Sequence, residues 1–407
     1  MSTGTAPGSA AAGEAVEVPQ PRMDVLRRFL SGDLGELRVL IAIALIWAIF
    51  QAQESRFLTA GNLTNLVLQI TAVGLISVGV VLVLLLGEID LSVGAVSGLC
   101  AAVMAVLNVK HGWSPYLAIA AAVVVGVGIG FFQGFVFNLF GIPSFVVTLA
   151  GLLAWNGFLL RVLGETGTVN ITDSKITGLT STFYSDAVGW LIAIVAIAAY
   201  AGVTLLGRQR RLRSDLPAPP LPSLVIRIAL VAAAVIATVA VLNSDRGVPL
   251  AGLILVGFVL VFQYITTRTR FGRHIYAVGG NTEAARRAGI SIARVRVIVF
   301  VLCSSMAAIG GIMAASRLLA VNQTSGGSDL LLLAIAGPVI AGTSLFGGRG
   351  SVWSALLGAI VIGSISNGMD LLGLESSTKF IVTGGVLLAA VIVDAIARKQ
   401  RAATGRV

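Results

Sequence analysis

Long apolar runs separated by short polar stretches make up most of this chain after about residue 33. Twelve runs can be marked, and most approach the roughly 20 residues that a helix needs to cross a hydrocarbon core, although some are short enough to be re-entrant. They lie at about 34–52, 63–86, 91–109, 116–140, 143–163, 188–206, 224–242, 250–266, 295–319, 329–346, 352–372 and 379–396. The pattern predicts an all-α polytopic membrane protein with one transmembrane domain over residues 34–397.

The composition agrees with this fold class and excludes other classes of protein. Of the 407 residues, 57% are hydrophobic and only 11% are Asp, Glu, Lys or Arg, whereas a soluble domain is about a quarter charged. A soluble enzyme, a disordered chain and a fibrous protein are therefore excluded. Because Cys100, Cys303, His111 and His274 are scattered, we expect no metal site, no disulfide framework and no cofactor.

The charged residues predict the orientation in the membrane. The chain has 28 Lys and Arg against 18 Asp and Glu. With the N-terminus inside, 21 of the 28 basic residues fall on inside segments, which indicates that both termini are cytoplasmic. The largest basic group lies in a cytoplasmic loop at 267–294. The basic excess is thus explained by topology and requires no nucleic acid.

The segments outside the apolar runs include two terminal tails and one long polar stretch. The first 33 residues are rich in Ala, Gly, Ser and Pro, which is typical of a disordered cytoplasmic tail, and a second short tail covers 398–407. Between the runs at 188–206 and 224–242 lies a basic and proline-rich stretch at 208–222.

A short internal repeat links two pairs of apolar runs. Asn138–Thr148 resembles the stretch from Asp370 to Thr383, and each copy joins two consecutive runs. Because the copies are seven runs apart, they cross the membrane in opposite directions, as in transporters whose two halves enclose a path. A chance match between apolar segments is the alternative.

The stretch Gly87–Gly94 is the first motif with chemical character. Glu88 and Asp90 lie between long apolar runs, where a charge costs several kcal/mol unless it is paired, hydrated or capping a helix. One interpretation is a break that lines a substrate path, with Asp90 or Ser92 capping the next helix; the other is a cytoplasmic turn. The spacing of Gly94 and Gly98 favours close helix contact.

The stretch 279–290 predicts a short helix of about two turns in the basic loop. An asparagine supplies the N-cap, an acid lies in the first turn, and a glycine stops the helix. A helix this short does not persist alone in water, so it either docks on a partner or is a solvated loop helix. The candidate docking residues are Asn281, Thr282, Glu283, Ala284, Ala285, Arg286, Arg287 and Gly289.

The glycine-rich stretch Gly342–Ser351 is interpreted as a tight turn, because it follows a membrane helix and no Gly-Lys-Ser/Thr phosphate loop occurs in the chain.

Isolated amides and acids within the apolar runs are candidates for lining a path, although each alone more often makes a hydrogen bond between helices. The selected path residues are Glu88, Asp90, Ser92, Gln69, Asn138, Asn322, Gln323 and Asn367.

Taken together, residues of about 35–397 resemble the membrane permease subunits of bacterial monosaccharide ABC transporters, the ribose, xylose and galactoside group. The stretches that carry the resemblance are Ile89–Gly94, Gly279–Ile290 and Gly342–Gly348. Within that group the chain is most similar to the xylose permease branch, through Pro143–Gly151 and Arg246–Pro249.

This resemblance implies a type II importer fold of ten core transmembrane helices in an inverted repeat, plus an extra hairpin over residues 188–242 around the stretch 208–222. It also implies a homodimer in the lipid of the bacterial inner membrane, served by cytoplasmic ATP-binding subunits and an extracytoplasmic sugar-binding protein. The 281–289 helix would then be the coupling helix, and the solute a xylose-like pentose or another simple sugar.

One departure and several alternatives accompany the resemblance. Leu331–Leu333 replace an acidic Glu-Leu-Asp of the relatives, and Asp329 lies nearby. The alternatives are a permease for nucleosides or other small polar solutes, an ion-coupled secondary transporter using Glu88 or Asp90, and a membrane scaffold without a path.

Overall fold

Helices account for nearly all of the computed structural model, which describes residues 35–165 and 167–403. The predicted disorder of residues 1–33 lies outside this part. The helices are α1 (Gly35–Gln53), α2 (Ala60–Leu85), α3 (Val93–Val109), α4 (Pro115–Phe140), α5 (Ser144–Leu163), α6 (Ser174–Ser181), α7 (Asp186–Arg213), α8 (Leu221–Asn243), α9 (Leu250–Arg268), α10 (Arg270–Gly280), α11 (Thr282–Arg287), α12 (Ile292–Leu318), α13 (Ser328–Ile340), α14 (Trp353–Leu371) and α15 (Ser376–Ala403).

The twelve predicted apolar runs correspond to α1–α5, α7–α9 and α12–α15. By length and composition, eight of these helices could cross a membrane: α2, α4, α5, α7, α8, α9, α12 and α14. The apolar parts of α1, α3, α13 and α15 are shorter, at 10–17 residues. The predicted all-α polytopic membrane architecture is confirmed.

Three helix ends differ from the prediction. Helix α13 ends at Ile340 instead of near 346, because Gly342 adopts a left-handed conformation with φ +96° that ends the helix. Helix α7 continues past 206 to Arg213, since its basic last turns are good helix formers. Helix α15 extends to Ala403, so most of the predicted tail at 398–407 is helical and only 404–407 lie outside the described part.

Helices α2 and α12 form the centre of the fold. They run antiparallel, since Gly79 of α2 lies against Cys303 while Ile76, one turn earlier, lies against Gly310. Both helices are largely buried, and both pack closely because glycine at the crossing points lets the backbones approach.

The helix contacts repeat between two groups of four, α2–α5 and α12–α15. Helix α2 packs on α12, α13 and α14, and correspondingly α12 packs on α2, α3 and α4. Likewise α3 packs on α4 and α5, as α13 packs on α14 and α15. Helices α1 and α9 pack on α14 and α2 respectively. These contacts follow the ten-helix inverted repeat that the resemblance implies.

Each group of four contains one non-helical link at the same position, 86–92 between α2 and α3 and 319–327 between α12 and α13. The second link packs against the first turns of α3, the helix that follows the first link. Gly94 and Gly98 have no room for a Cβ because the main chain of Ser325 and Gly326 lies against them. The predicted Gly-x-x-x-Gly contact is therefore made with a turn of the second link instead of a helix.

Four short strands close one end of the bundle. Strand β1 (Thr168–Asn170) pairs antiparallel with β4 (Ala320–Asn322), and β2 (Phe183–Tyr184) pairs antiparallel with β3 (Val248–Pro249). We call this the strand end. The opposite end, where α10, α11 and the arginines of 268–296 lie, is called the basic end.

The predicted extra hairpin is formed by α7 and α8. These two helices pack mainly on each other and are little buried. At the strand end, the Arg246 guanidinium donates to Asn65 of α2 over 2.7 Å and lies 4.6 Å over the ring of Phe183. The hairpin is thus attached to the core from one side.

Two glycines on α4 provide a matched test of this packing. A Cβ at Gly130 would meet the backbone of Phe300 and Val301, whereas a Cβ at Gly128 would meet nothing within 4 Å. We expect Gly130→Ala to destabilise the detergent-solubilised protein by about 1–3 kcal/mol through overpacking. Gly128→Ala should be neutral or slightly stabilising, because alanine is the better helix former. Thermal melting measures both; equal melting shifts would contradict the α4–α12 contact.

Candidate functional site

The three glycine motifs of the sequence meet at one point of the basic end. The Gly348 N–H donates to the carbonyl oxygen of Leu85, the last residue of α2, over 2.9 Å. Gly279 of α10 lies against the same carbonyl, and Gly347 lies against both Gly87 and Gly279. We call this contact between Gly87, Gly279, Gly347 and Gly348 the glycine joint. It connects α2, α10 and the loop before α14 through main-chain atoms.

The conformation of the joint requires glycine. Gly87 has φ +76° and Gly348 has φ +70°, a region that residues with a Cβ rarely adopt. Beside it, the Tyr276 hydroxyl of α10 donates to the Gly350 carbonyl over 2.9 Å. Burial raises the pKa of Tyr276, so the phenol stays protonated and remains a donor. The joint is therefore fixed by hydrogen bonds on two sides.

Helix α11 follows the joint directly and confirms the short helix predicted from the sequence. The Asn281 side chain accepts a hydrogen bond from the Ala284 N–H over 2.9 Å, as expected of an N-cap. After the last turn, Gly289 has φ +81° and the Ile290 N–H donates to the Ala285 carbonyl over 3.1 Å. This is the glycine stop that the sequence predicts.

The exposed face of α11 is polar and charged. Ala285 is buried against the rest of the protein and Thr282 is half-buried, with its hydroxyl donating to the Val278 carbonyl over 2.9 Å. Glu283 pairs with Arg286 at 3.0 Å and with Arg287 at 3.4 Å, and all three are exposed. A helix anchored on one side with an ordered charged surface on the other can serve as a docking element.

The first link, 86–92, is held by side chains of three helices. The Glu88 carboxylate pairs with Arg296 of α12 at 2.7 Å, and the Arg296 guanidinium lies 5.0 Å over the ring of Phe137. On the other side, the Leu91 N–H donates to the Thr148 hydroxyl over 3.1 Å. The link is thus tied to α4, α5 and α12 at the basic end.

Asp90 is buried within this link. Its Oδ1 accepts hydrogen bonds from the Ser92 N–H and hydroxyl at 2.8 and 2.7 Å, and the Cys303 thiol lies beside its carboxyl group. The Gln133 amide of α4 donates to the Ser92 hydroxyl over 2.8 Å. Ser92 occupies the N-cap position of α3 but its side chain makes no capping bond, because Asp90 and Gln133 engage it instead.

A cavity of about 490 Å³ lies between α2, α3, α12, α13 and the second link. Its exposed residues, including Arg317 and Asp329, are on the side of the strand end, whereas Ser97 is buried at its base. The polar groups lining it are Gln69, Ser97, Arg317, Asn322, Thr324, Ser325 and Asp329. This volume is typical of small-molecule sites, and the lining offers both donors and acceptors.

Two of the eight predicted path residues line this cavity, Gln69 and Asn322. Asn367 is buried behind it, where its amide donates to Gln69 over 3.2 Å and exchanges two hydrogen bonds with Asn62. The other five lie elsewhere. Gln323 packs against Gly167, the Asn138 amide donates to a carbonyl of its own helix, and Glu88, Asp90 and Ser92 belong to the first link.

The sequence reasoning missed several residues of the cavity. Arg317 is a charge near the end of a long apolar run, which is a signal that could have identified it. Neither Arg317 nor Asp329 has an ion-pair partner within 4.0 Å among the described residues. Within Leu331–Leu333, Leu333 lines the cavity, while Leu331 lies against Gly94.

Comparison with known proteins identifies related chains over nearly the whole length. Residues 62–391 match a family model described as branched-chain amino acid transport system / permease component. The xylose transport system permease protein of Escherichia coli strain K12 is 38% identical over 368 residues, covering 89% of this chain and 93% of that protein.

Two further relatives give the same result. The xylose transport system permease protein of Haemophilus influenzae is 35% identical over 89% of this chain and 96% of its own. The ribose import permease protein of Escherichia coli strain K12 is 32% identical over 90% of this chain and 96% of its own. No solved structure matches the chain significantly.

The glycine joint can be tested with two adjacent glycines of α10. A Cβ at Gly279 would overlap the Leu85 carbonyl, whereas a Cβ at Gly280 would meet nothing within 4 Å. Gly279→Ala should lower stability by about 1–3 kcal/mol, because the clash is with main chain that cannot rotate away. Gly280→Ala should leave the melting temperature of the purified protein nearly unchanged. If Gly279→Ala melts like the wild-type protein, the joint is not formed as described.

Proposed function

This chain belongs to the permease family whose model it matches over residues 62–391, and we propose that it is the membrane permease subunit of an ATP-binding-cassette importer for a monosaccharide. ATP hydrolysis takes place on separate cytoplasmic subunits. The supporting observation is the 490 Å³ cavity with its polar lining, together with relatives that are a xylose and a ribose permease. A xylose-like pentose is the proposed solute.

The lining of the cavity suits a neutral polyol. The amides of Gln69 and Asn322 and the hydroxyls of Ser97 and Thr324 exchange hydrogen bonds with water and with sugar hydroxyls at similar energy. A sugar can therefore enter and leave without a deep energy minimum. Arg317 and Asp329 add one charged donor and one charged acceptor at the exposed side, where a sugar would first be met.

Coupling to ATP hydrolysis is proposed to run through α11 and the glycine joint. A displacement of α11 would reach α10, and Gly279 would pass it to the end of α2 and to the loop before α14. Helix α2 carries Gln69 in the cavity, and α13, which precedes that loop, carries Asp329 and Leu330. One cytoplasmic event would thus move two walls of the cavity.

The proposed assembly is a homodimer of this chain with ATP-binding subunits at the basic end and a sugar-binding protein at the strand end. Both termini are then cytoplasmic, because the basic loop at 267–294 marks the inner side.

An ion-coupled transporter is disfavoured by the state of its two candidate carboxylates. Coupling requires a carboxylate that can bind and release a cation during transport. Glu88 is paired with Arg296, and Asp90 is buried against Ser92 and Cys303 within the first link. Neither lines the cavity.

The coupling helix is tested by reversing one of its charges and removing its glycine stop. Arg286→Glu with Gly289→Ala replaces an attraction to Glu283 by repulsion and forces a Cβ into φ +81°, which costs about 1–2 kcal/mol. We expect co-purification of the ATP-binding subunit to fall at least tenfold while membrane insertion is retained. The matched control is Arg213→Glu with Gly207→Ala on α7, where a Cβ at Gly207 meets nothing. Equal co-purification of both double variants would refute the assignment.

The cavity is tested through Arg317→Gln in the reconstituted complex with binding protein and ATPase. Losing a charged hydrogen-bond donor to the sugar should lower the number of sugars moved per ATP about fivefold or more, equivalent to about 1 kcal/mol. The ATPase activity stimulated by the binding protein should stay within about twofold of wild type. Arg161→Gln, an exposed arginine of α5 outside the cavity, is the control. An unchanged sugar-to-ATP ratio would exclude this cavity from the path.

A further inference from the structure

A separate cavity of about 430 Å³ lies at the basic end, between α10 and the first turns of α12. It has no residue in common with the cavity assigned to the solute. Helix α10 forms one wall and α12 the other, while the chain after α11 closes one side. The lining residues are Phe271, His274, Ala288, Gly289, Ile290, Ser291, Arg294, Val295 and Ile298.

The surroundings of this cavity carry an uncompensated positive charge. Residues 267–296 contain seven arginines and a single acid, Glu283. Arg286 and Arg287 pair with that acid, and Arg296 pairs with Glu88. The remaining arginines are exposed and have no carboxylate within 4.0 Å in the described part of the chain: Arg268, Arg270, Arg273 and Arg294.

The cavity is basic at one side and apolar at the other. Arg294 and Ile298 lie one turn apart on the same face of α12, and Ile298 is farther along the helix into the bundle. Ile298 is an apolar residue of a membrane-spanning helix, and 38% of its surface is exposed. The opposite wall, formed by α10, likewise has a polar residue, His274, and an apolar residue, Phe271. A ligand that fills this space has an anionic group at Arg294 and an apolar part at Ile298.

The position of the cavity fits the surface of a bilayer. Helix α10 starts two residues after α9, a membrane-spanning helix that ends at Arg268. Its buried residues Gly272, Ile275 and Val278 lie on one face, and exposed Arg270 and Arg273 lie on another. Such an amphipathic basic helix is typical of the headgroup layer, and basic pockets between helices there bind anionic headgroups.

We propose that this cavity between α10 and α12 binds an anionic phospholipid, with the phosphodiester at Arg294 and His274 and an acyl chain along Val295 and Ile298. The apolar wall favours a lipid over a soluble phosphate, which would use only the basic side. It also distinguishes the site from the exposed face of α11, which is charged and polar throughout. The proposal does not depend on the transported solute or on the ATPase.

The experiment uses the full chain alone in detergent and in nanodiscs, without any partner protein. Native mass spectrometry measures retention of phosphatidylglycerol against phosphatidylcholine. Arg294→Gln should reduce phosphatidylglycerol retention about fivefold, since one basic group near a membrane surface contributes roughly that factor. Arg213→Gln, an exposed arginine at the end of α7, should leave retention unchanged. Equal thermal melting of both variants without added lipid shows that folding is intact.

Competition by soluble headgroup compounds and a variant of the apolar wall decide the source of the ligand. Glycerophosphoglycerol, which has the headgroup but no acyl chains, should not displace the lipid, and Ile298→Gln should weaken retention of the lipid. If inorganic phosphate or glycerophosphoglycerol displaces the lipid completely, the site takes a soluble phosphate and the proposal is overturned. If Arg294→Gln leaves phosphatidylglycerol retention unchanged, the cavity is not a lipid site.

Discussion

The need to satisfy main-chain hydrogen bonds inside hydrocarbon governs this fold. Two links, 86–92 and 319–327, leave the helical conformation, so their main-chain groups lose the hydrogen bonds that a helix supplies. Thr148 accepts from the first link, while the second bonds to itself through the side chains of Asn322 and Ser325. Strand β1 pairs with the start of the second link. Side chains and a neighbouring strand thus replace part of the hydrogen bonding that a helix would supply.

The positions of the two links determine where the other features lie. The second link packs on α3 where Gly94 and Gly98 touch the main chain of Ser325 and Gly326, and the large cavity lies directly beside this contact. The first link continues at its other end into Gly87 and the glycine joint. The first link and the first turns of α3 therefore lie between the proposed solute cavity and the proposed site of ATPase docking. Within this link Glu88 is paired with Arg296, and Oδ1 of the buried Asp90 accepts hydrogen bonds from Ser92.

Local sequence features predicted the local structure well. The apolar runs, the cap at Asn281 and the stop at Gly289 depend on neighbouring residues, and all are present. Contacts between distant segments were not predictable in this way. The sequence near Gly279 does not indicate that Leu85 and Gly348 are its neighbours. Asn367 was predicted to line the path, but in the structure its side chain is hydrogen-bonded to Asn62. Arg317 and Asp329 line the same cavity only because α12 and α13 are folded against each other.

The glycine joint and the large cavity differ in how easily substitutions can change them during evolution. Its contacts are formed by main-chain atoms, so they depend on the absence of side chains and tolerate no gradual variation. The cavity is lined by side chains on the same helices, and these can be exchanged one at a time without disturbing that contact. A few substitutions around Gln69 and Arg317 could therefore change the proposed solute, while the proposed connection to the ATP-binding subunits stays the same.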